Sequence, residues 1–118
     1  MIPRRISATL LHAAESFPIV TLLGPRQSGK TTLVQALFPD HLYINLENPE
    51  TRALFASDPK ELLLNGSAPV IVDEAQREPE ILSWIQVFSD RSRAGLVRSR
   101  PLLLCFAFRP FSPTFKNA

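Results

Sequence analysis

Acidic residues stop at Asp90. Residues 91–118 carry six lysines and arginines and no aspartate or glutamate, a balance of +6, whereas residues 1–90 carry seven basic against eleven acidic side chains, a balance of −4. The overall charge of +2 hides this split. A missing sign of charge over such a stretch marks either a basic arm for nucleic acid or a segment of different origin. Cysteine is almost absent: Cys105 alone cannot close an internal disulfide, which excludes a disulfide-stapled scaffold and suits a reducing cytosol. Long apolar runs are absent too. The longest, LLLCFAF at 102–108, falls far short of the ~20 residues that span a bilayer. The opening MIPRRISATLLHAAES is broken by polar residues before a secretory leader's apolar core could form. No segment repeats. These absences set the expectation of a cytoplasmic protein without membrane contact.

What remains is ordinary for one folded domain, with 45% apolar and 20% charged residues in 118. A chain of this length buries about 65% of its unfolded surface. In PRRISATLLHAAES, Ile6, Leu10, Leu11 and Ala14 fall at helical spacing, with Pro3 suited to the first turn. IVTLL (19–23), LYINL (42–46) and PVIV (69–72) read as strands apolar on both faces, as parallel strands are. Between them TTLVQALF, PETRALFAS, DPKELLLNG and EPEILSWIQVFSD read as helices. Asp58 caps the third, Pro59 fills its first turn and Gly66 stops it. Ile81, Leu82, Ile85 and Phe88 are expected on one face of the fourth. Strand and helix alternate, which predicts an α/β fold with three layers, a parallel sheet between helices.

Two motifs carry chemistry. GPRQSGKTT at 24–32 follows the first strand and matches G-x-x-x-x-G-K-[ST]. Its candidate phosphate contacts are Gly24, Pro25, Arg26, Gln27, Ser28, Gly29, Lys30, Thr31 and Thr32. The glycines let backbone N–H groups converge on phosphate oxygens at the positive end of the next helix. Lys30 reaches the β- and γ-phosphates and the Thr31 hydroxyl holds magnesium. A chance match in a chain this long is on the order of one in a few hundred. Arg26 and Gln27 are candidates for phosphate or a neighbouring subunit, against simple exposure. The second motif, PVIVDEAQ, ends a strand in Asp73, whose carboxylate can accept from magnesium's water shell. Glu74 follows, suited to take a proton from an attacking water. Glu47 and Gln76 are weaker candidates, the first for a water relay or a helix cap, the second to orient water or the γ-phosphate. His12 and His41 lack metal-ligand spacing and read as surface residues, and Trp84 as core or interface.

Three strings, FPIVTLLGPRQSGKTTLVQALFP, YINLENPETRALFASDP and PVIVDEAQREPEILSWIQ, together resemble the N-terminal AAA-type ATPase domain of a prokaryotic family. Proteins of that family usually continue into a C-terminal domain of undefined function. The resemblance covers residues 1–95. It implies a P-loop nucleoside triphosphatase fold with strand order 5-1-4-3-2, and ATP and Mg²⁺ as ligands. It implies Lys30 and Thr31 of Walker A as phosphate and magnesium contacts. In Walker B it implies Asp73 as the magnesium-water ligand and Glu74 as the base. Assembly of copies of the chain is a further expectation, and the protein or nucleic-acid partner is left open.

Residues 96–118 depart from that pattern. The family continues into a strand ending in a Leu-Thr-Gly-Ser-like signature that senses the γ-phosphate, where this chain reads LVRSRPLLLCFAFRPFSPTFKNA. The expectation is an incomplete sheet, lacking the strand between the loop strand and the Asp73 strand, with a truncated or frame-shifted basic, Phe- and Pro-rich tail. Lys30 and Asp73 would then be held too loosely to share one magnesium, and hydrolysis would be impaired. LLLCFAF substituting as that strand is the alternative. Two other functions compete. A small-molecule or nucleotide kinase needs a second substrate pocket and an arginine-bearing lid, and neither is legible in residues 1–95. A nucleic-acid-binding module would stack bases on Phe106, Phe108, Phe111 and Phe115 among the tail's arginines.

Overall fold

Alternating apolar strands and amphipathic helices build the layered arrangement that such a pattern dictates. The computed structural model describes residues 4–25, 29–65, 69–93 and 102–108. Helix α1 (Arg4–Ser16) leads into strand β1 (Ile19–Pro25), then α2 (Lys30–Leu37), β2 (Leu42–Asn45) and α3 (Pro49–Ser57). A π-helical segment (Glu61–Asn65), β3 (Val70–Asp73), a 3-10 turn (Ala75–Arg77), α4 (Ile81–Arg93) and β4 (Leu102–Phe108) follow. The four described strands are parallel, in the order β1-β4-β3-β2.

The place of β4 corrects the expectation of a missing central strand. Residues 102–108 lie between β1 and β3, with Leu22 opposite Cys105, Gly24 opposite Ala107, and Val72 opposite Leu104. Leu102, Leu103, Leu104 and Cys105 are wholly or almost wholly buried, because a central strand has layers on both faces. The described part of the sheet reproduces the 1-4-3-2 portion of the order that the resemblance implied.

Side chains alternate across the sheet and feed two cores. On one face Val20, Ile71, Leu103 and Cys105 pack against Leu10 of α1 and Leu33, Val34 and Phe38 around α2. On the other, Ile44, Val70, Val72, Leu102 and Leu104 pack against Phe55 of α3, Leu63, and Ile81 and Phe88 of α4. Trp84 joins this second core. Leu82 does not: it is 75% exposed, because the stripe Ile81, Trp84, Ile85, Phe88 follows helical spacing and leaves its neighbour outside. Leu11 is exposed on α1 for the same reason, one step past Leu10, and Ile6 is exposed in its first turn. His41 is not a plain surface residue; it is half-buried and meets Phe38 edge-on with ring centroids 5.1 Å apart.

The helix starts follow capping chemistry. Asn48 caps α3, its Oδ1 accepting from the N–H groups of Glu50 at 2.9 Å and Thr51 at 3.4 Å, with Pro49 in the first turn. That role falls to Asn48 and not to Glu47. Asp58 accepts from the Glu61 N–H at 3.2 Å at the start of the next turn, which widens into the π-helical segment. Gly66, its expected stop, lies outside the described residues. Glu78, buried, accepts from the Glu80 N–H at 2.9 Å ahead of α4. No helix among the described residues is long and apolar enough to cross a membrane.

Candidate functional site

The carboxyl ends of β1, β3 and β4 meet at one edge of the sheet, where loops in parallel α/β folds gather their ligands. β1 runs into the glycine-rich turn, and Gly29 stands at its far end with φ +89°. Only glycine adopts that left-handed backbone without strain, and it lets α2 start abruptly at Lys30. Gly29 has no side chain to cap α2, so the first-turn N–H groups keep their capacity for an anion. Arg26, Gln27 and Ser28 lie outside the described residues. Gly24 is buried within β1, and the Pro25 carbonyl accepts from Lys30 Nζ at 3.3 Å. Lys30 is buried, its ammonium turned back to the end of β1. Thr31 and Thr32 occupy the exposed first turn of α2.

Asp73 is the convergence point. Its carboxylate is 2% exposed at the tip of β3. Oδ2 accepts from the Thr31 hydroxyl at 2.6 Å and from the Tyr43 hydroxyl at 2.5 Å; Oδ1 accepts from the Glu74 N–H at 2.8 Å. Three donors from three segments hold one carboxylate, so the two motifs are joined directly. With β4 filling the centre of the sheet, the loose separation of Lys30 and Asp73 expected from a missing strand does not arise.

Burial and the bond to Asp73 push the Tyr43 hydroxyl well above the usual phenol range, so it remains a donor at neutral pH. Burial first, then the charge of Asp73, raises the Cys105 thiol to about 12. Cys105 is therefore an apolar core residue of β4 and not a nucleophile.

Glu74 follows in a left-handed conformation, φ 55°, uncommon for a residue with a side chain. The 3-10 turn after it brings Gln76 back beside Glu74, and Gln76 Nε2 donates to Glu74 Oε1 at 2.8 Å. Gln76 Oε1 accepts from the Ala107 N–H of β4 at 3.1 Å. Glu47 is exposed beyond β2, its N–H donating to Asn45 Oδ1 at 2.9 Å. Phe106 packs into the α3–α4 core, which removes it from the proposed base-stacking set; Phe111 and Phe115 lie outside the described residues, as does the side chain of Phe108.

The donor set fits a small hard cation. Among the described residues no cluster of three or more histidine, cysteine or acidic side chains could cage a metal alone. Magnesium needs no such cage, since one carboxylate and a hydroxyl suffice when phosphate oxygens and waters complete the octahedron. A hydroxyl that donates its proton to Asp73 retains lone pairs for a cation, so Thr31 and Asp73 can serve one ion together. Tyr43 was not singled out in the sequence. Its one available signal is position, two residues short of the end of its strand, where alternation places it on the face shared by Ile71 and Asp73.

A sequence model of a family described as AAA domain matches residues 16–99. An uncharacterized protein of Mycobacterium bovis and one of Mycobacterium tuberculosis are each 38% identical to the chain over 91 residues. The aligned region covers 75% of this chain and 20% of each relative, so the chain spans about one fifth of the length of the curated relatives it matches. No solved structure matches it significantly.

Proposed function

The chain belongs to the AAA domain family, and from that membership we propose that it binds ATP with magnesium and hydrolyses it slowly. The observation that carries this reading is the 2.6 Å bond between Thr31 of the glycine-rich loop and Asp73 of the β3 tip. The bond helps to satisfy the buried carboxylate, and it also brings two motifs 42 positions apart to the place where magnesium chemistry uses a hydroxyl and a carboxylate together. Lys30 leaves the Pro25 carbonyl to neutralise the β- and γ-phosphates, and the N–H groups of Gly29, Lys30, Thr31 and Thr32 face the phosphate chain. Gly24, Pro25, Arg26, Gln27 and Ser28 complete the cradle in this reading. Thr31, with Asp73 through water, would hold magnesium, which would supply positive charge against that of the phosphates.

Glu74 is the proposed base that takes a proton from the attacking water. The rate is limited by what β4 does not provide. Among the described residues β4 ends in Ala107 and Phe108, in place of the threonine- and glycine-bearing sensor that the resemblance implies, and Arg109 lies outside the described residues. An arginine finger supplied by a neighbour is worth about 10³- to 10⁵-fold in such enzymes. The chain alone is therefore expected to turn over below about 1 s⁻¹.

Steady-state phosphate release by the purified chain tests the reading, with Glu74→Gln as the comparison. Slow, magnesium-dependent release that falls at least tenfold in Glu74→Gln is expected. A rate indifferent to Glu74→Gln removes Glu74 from the chemistry and leaves nucleotide binding alone.

A further inference from the structure

β3 stops at Asp73 while β4 continues to Phe108, so the end of β4 projects beyond its neighbour. A strand N–H without a neighbour must find another acceptor, because an unsatisfied donor in a partly buried setting is costly. Ala107 finds the Gln76 side chain, and the same side chain holds Glu74. These two bonds dictate the orientation of the amide. The backbone N–H requires the oxygen toward β4 and the carboxylate requires the nitrogen toward Glu74, so a flipped amide would break both. Gln76 can reach both partners because the left-handed backbone of Glu74 and the 3-10 turn fold the chain back over β4. The turn is pinned by Ala75, which is wholly buried.

We propose that Gln76 is a positioning residue that clamps the Glu74 carboxylate to the end of the central strand. A glutamate has three rotatable side-chain bonds, and an exposed one samples many rotamers. A charge-assisted N–H···O⁻ bond from an amide that is itself tied to a β-strand narrows that sampling without neutralising the carboxylate. Displacement of the end of β4 is then transmitted to Glu74 through a single side chain. The catalytic consequence rests on the hydrolytic reading above, whereas the clamp itself does not.

Two substitutions separate the strand-capping half of the clamp from the glutamate-holding half. Gln76→Ala removes both bonds. Gln76→Glu keeps an acceptor for Ala107 but sets a second carboxylate against Glu74. Amide hydrogen exchange, ATP affinity and phosphate release are measured on the full chain. In Gln76→Ala, the Ala107 amide is expected to exchange at least tenfold faster while Leu103 and Leu104 are unchanged. Phosphate release should fall by about tenfold with ATP affinity held within about twofold, the split expected of a group that acts on chemistry and not on binding. Gln76→Glu should keep Ala107 protected yet lose turnover as Gln76→Ala does. In a Glu74→Gln background neither change should lower the rate further, since both act through Glu74. Wild-type turnover in Gln76→Glu overturns the positioning role, and an unchanged Ala107 exchange in Gln76→Ala overturns the clamp. If the wild type shows no Glu74-dependent turnover, the hydrolytic reading fails separately. The clamp then stands or falls on Ala107 exchange and on the Gln76 side-chain amide resonances, which should move in Glu74→Ala.

Discussion

Asp73 shows how a buried charge is held. A carboxylate out of water is stable only if its lone pairs are met, and Thr31, Tyr43 and the Glu74 N–H meet them from three directions. Tyr43 is the informative member, since it belongs to neither motif and has no contact to make with a nucleotide in this reading. Hydrogen bonds to charged groups are worth about 1.5–3 kcal/mol, so Tyr43→Phe is expected to weaken magnesium-dependent ATP binding by about tenfold or more. Binding of ATP without magnesium should change little, because Asp73 engages the nucleotide through the ion. Titrations of ATP into Tyr43→Phe with magnesium and with chelator measure both. Equal losses in the two conditions would make Tyr43 a general packing residue.

Among the elements, β4 decides whether the sheet closes. It is flanked by β1 and β3, and its residues 102–105 are at most 2% exposed. Leu104→Ala deletes a fully buried side chain from the α3–α4 core and is expected to cost about 2–5 kcal/mol, read as a lower urea midpoint. A chain ending at residue 101 should lose cooperative unfolding altogether. Cooperative unfolding retained by that shorter chain would show that β1 and β3 close without β4. The first three strands and the helices between them were legible because apolar runs of strand length alternate with helical periodicity. The position of β4 was not. LLLCFAF is apolar on both faces, and such a run reads alike whether it lies in the centre of a sheet or in an uncovered end. The charge shift around it obscured the strand further, since Arg91 and Arg93 belong to α4, where Arg93 meets Asp90 at 3.3 Å in solvent. Leu82 departs from the expected face because the 100° step from Ile81 turns it out of the stripe of Ile81, Trp84, Ile85 and Phe88.

At the scale of the whole molecule, helices on both faces of a parallel sheet leave its carboxyl edge for the site, and the site's charge balance follows from that placement. Lys30 and Asp73 are both buried there, and each was legible from its motif. Their shared neighbourhood was not, because it depends on which strand fills the centre of the sheet. The different origin suggested for residues 96–118 remains a proposal about the gene, to which the strand at 102–108 adds a structural role. The proposed function requires a nucleotide at this edge. In the proposed reading Lys30 is the cation that meets the phosphates, and the backbone cradle without it would bind them less tightly. The direct measurement is calorimetric titration of ATP with magnesium into the full chain and into Lys30→Ala. Saturable binding to the full chain is expected, with a dissociation constant at least tenfold weaker in the variant, a difference of about 1.4 kcal/mol or more. Equal affinity in the two proteins, or no binding to either, would contradict the proposed function.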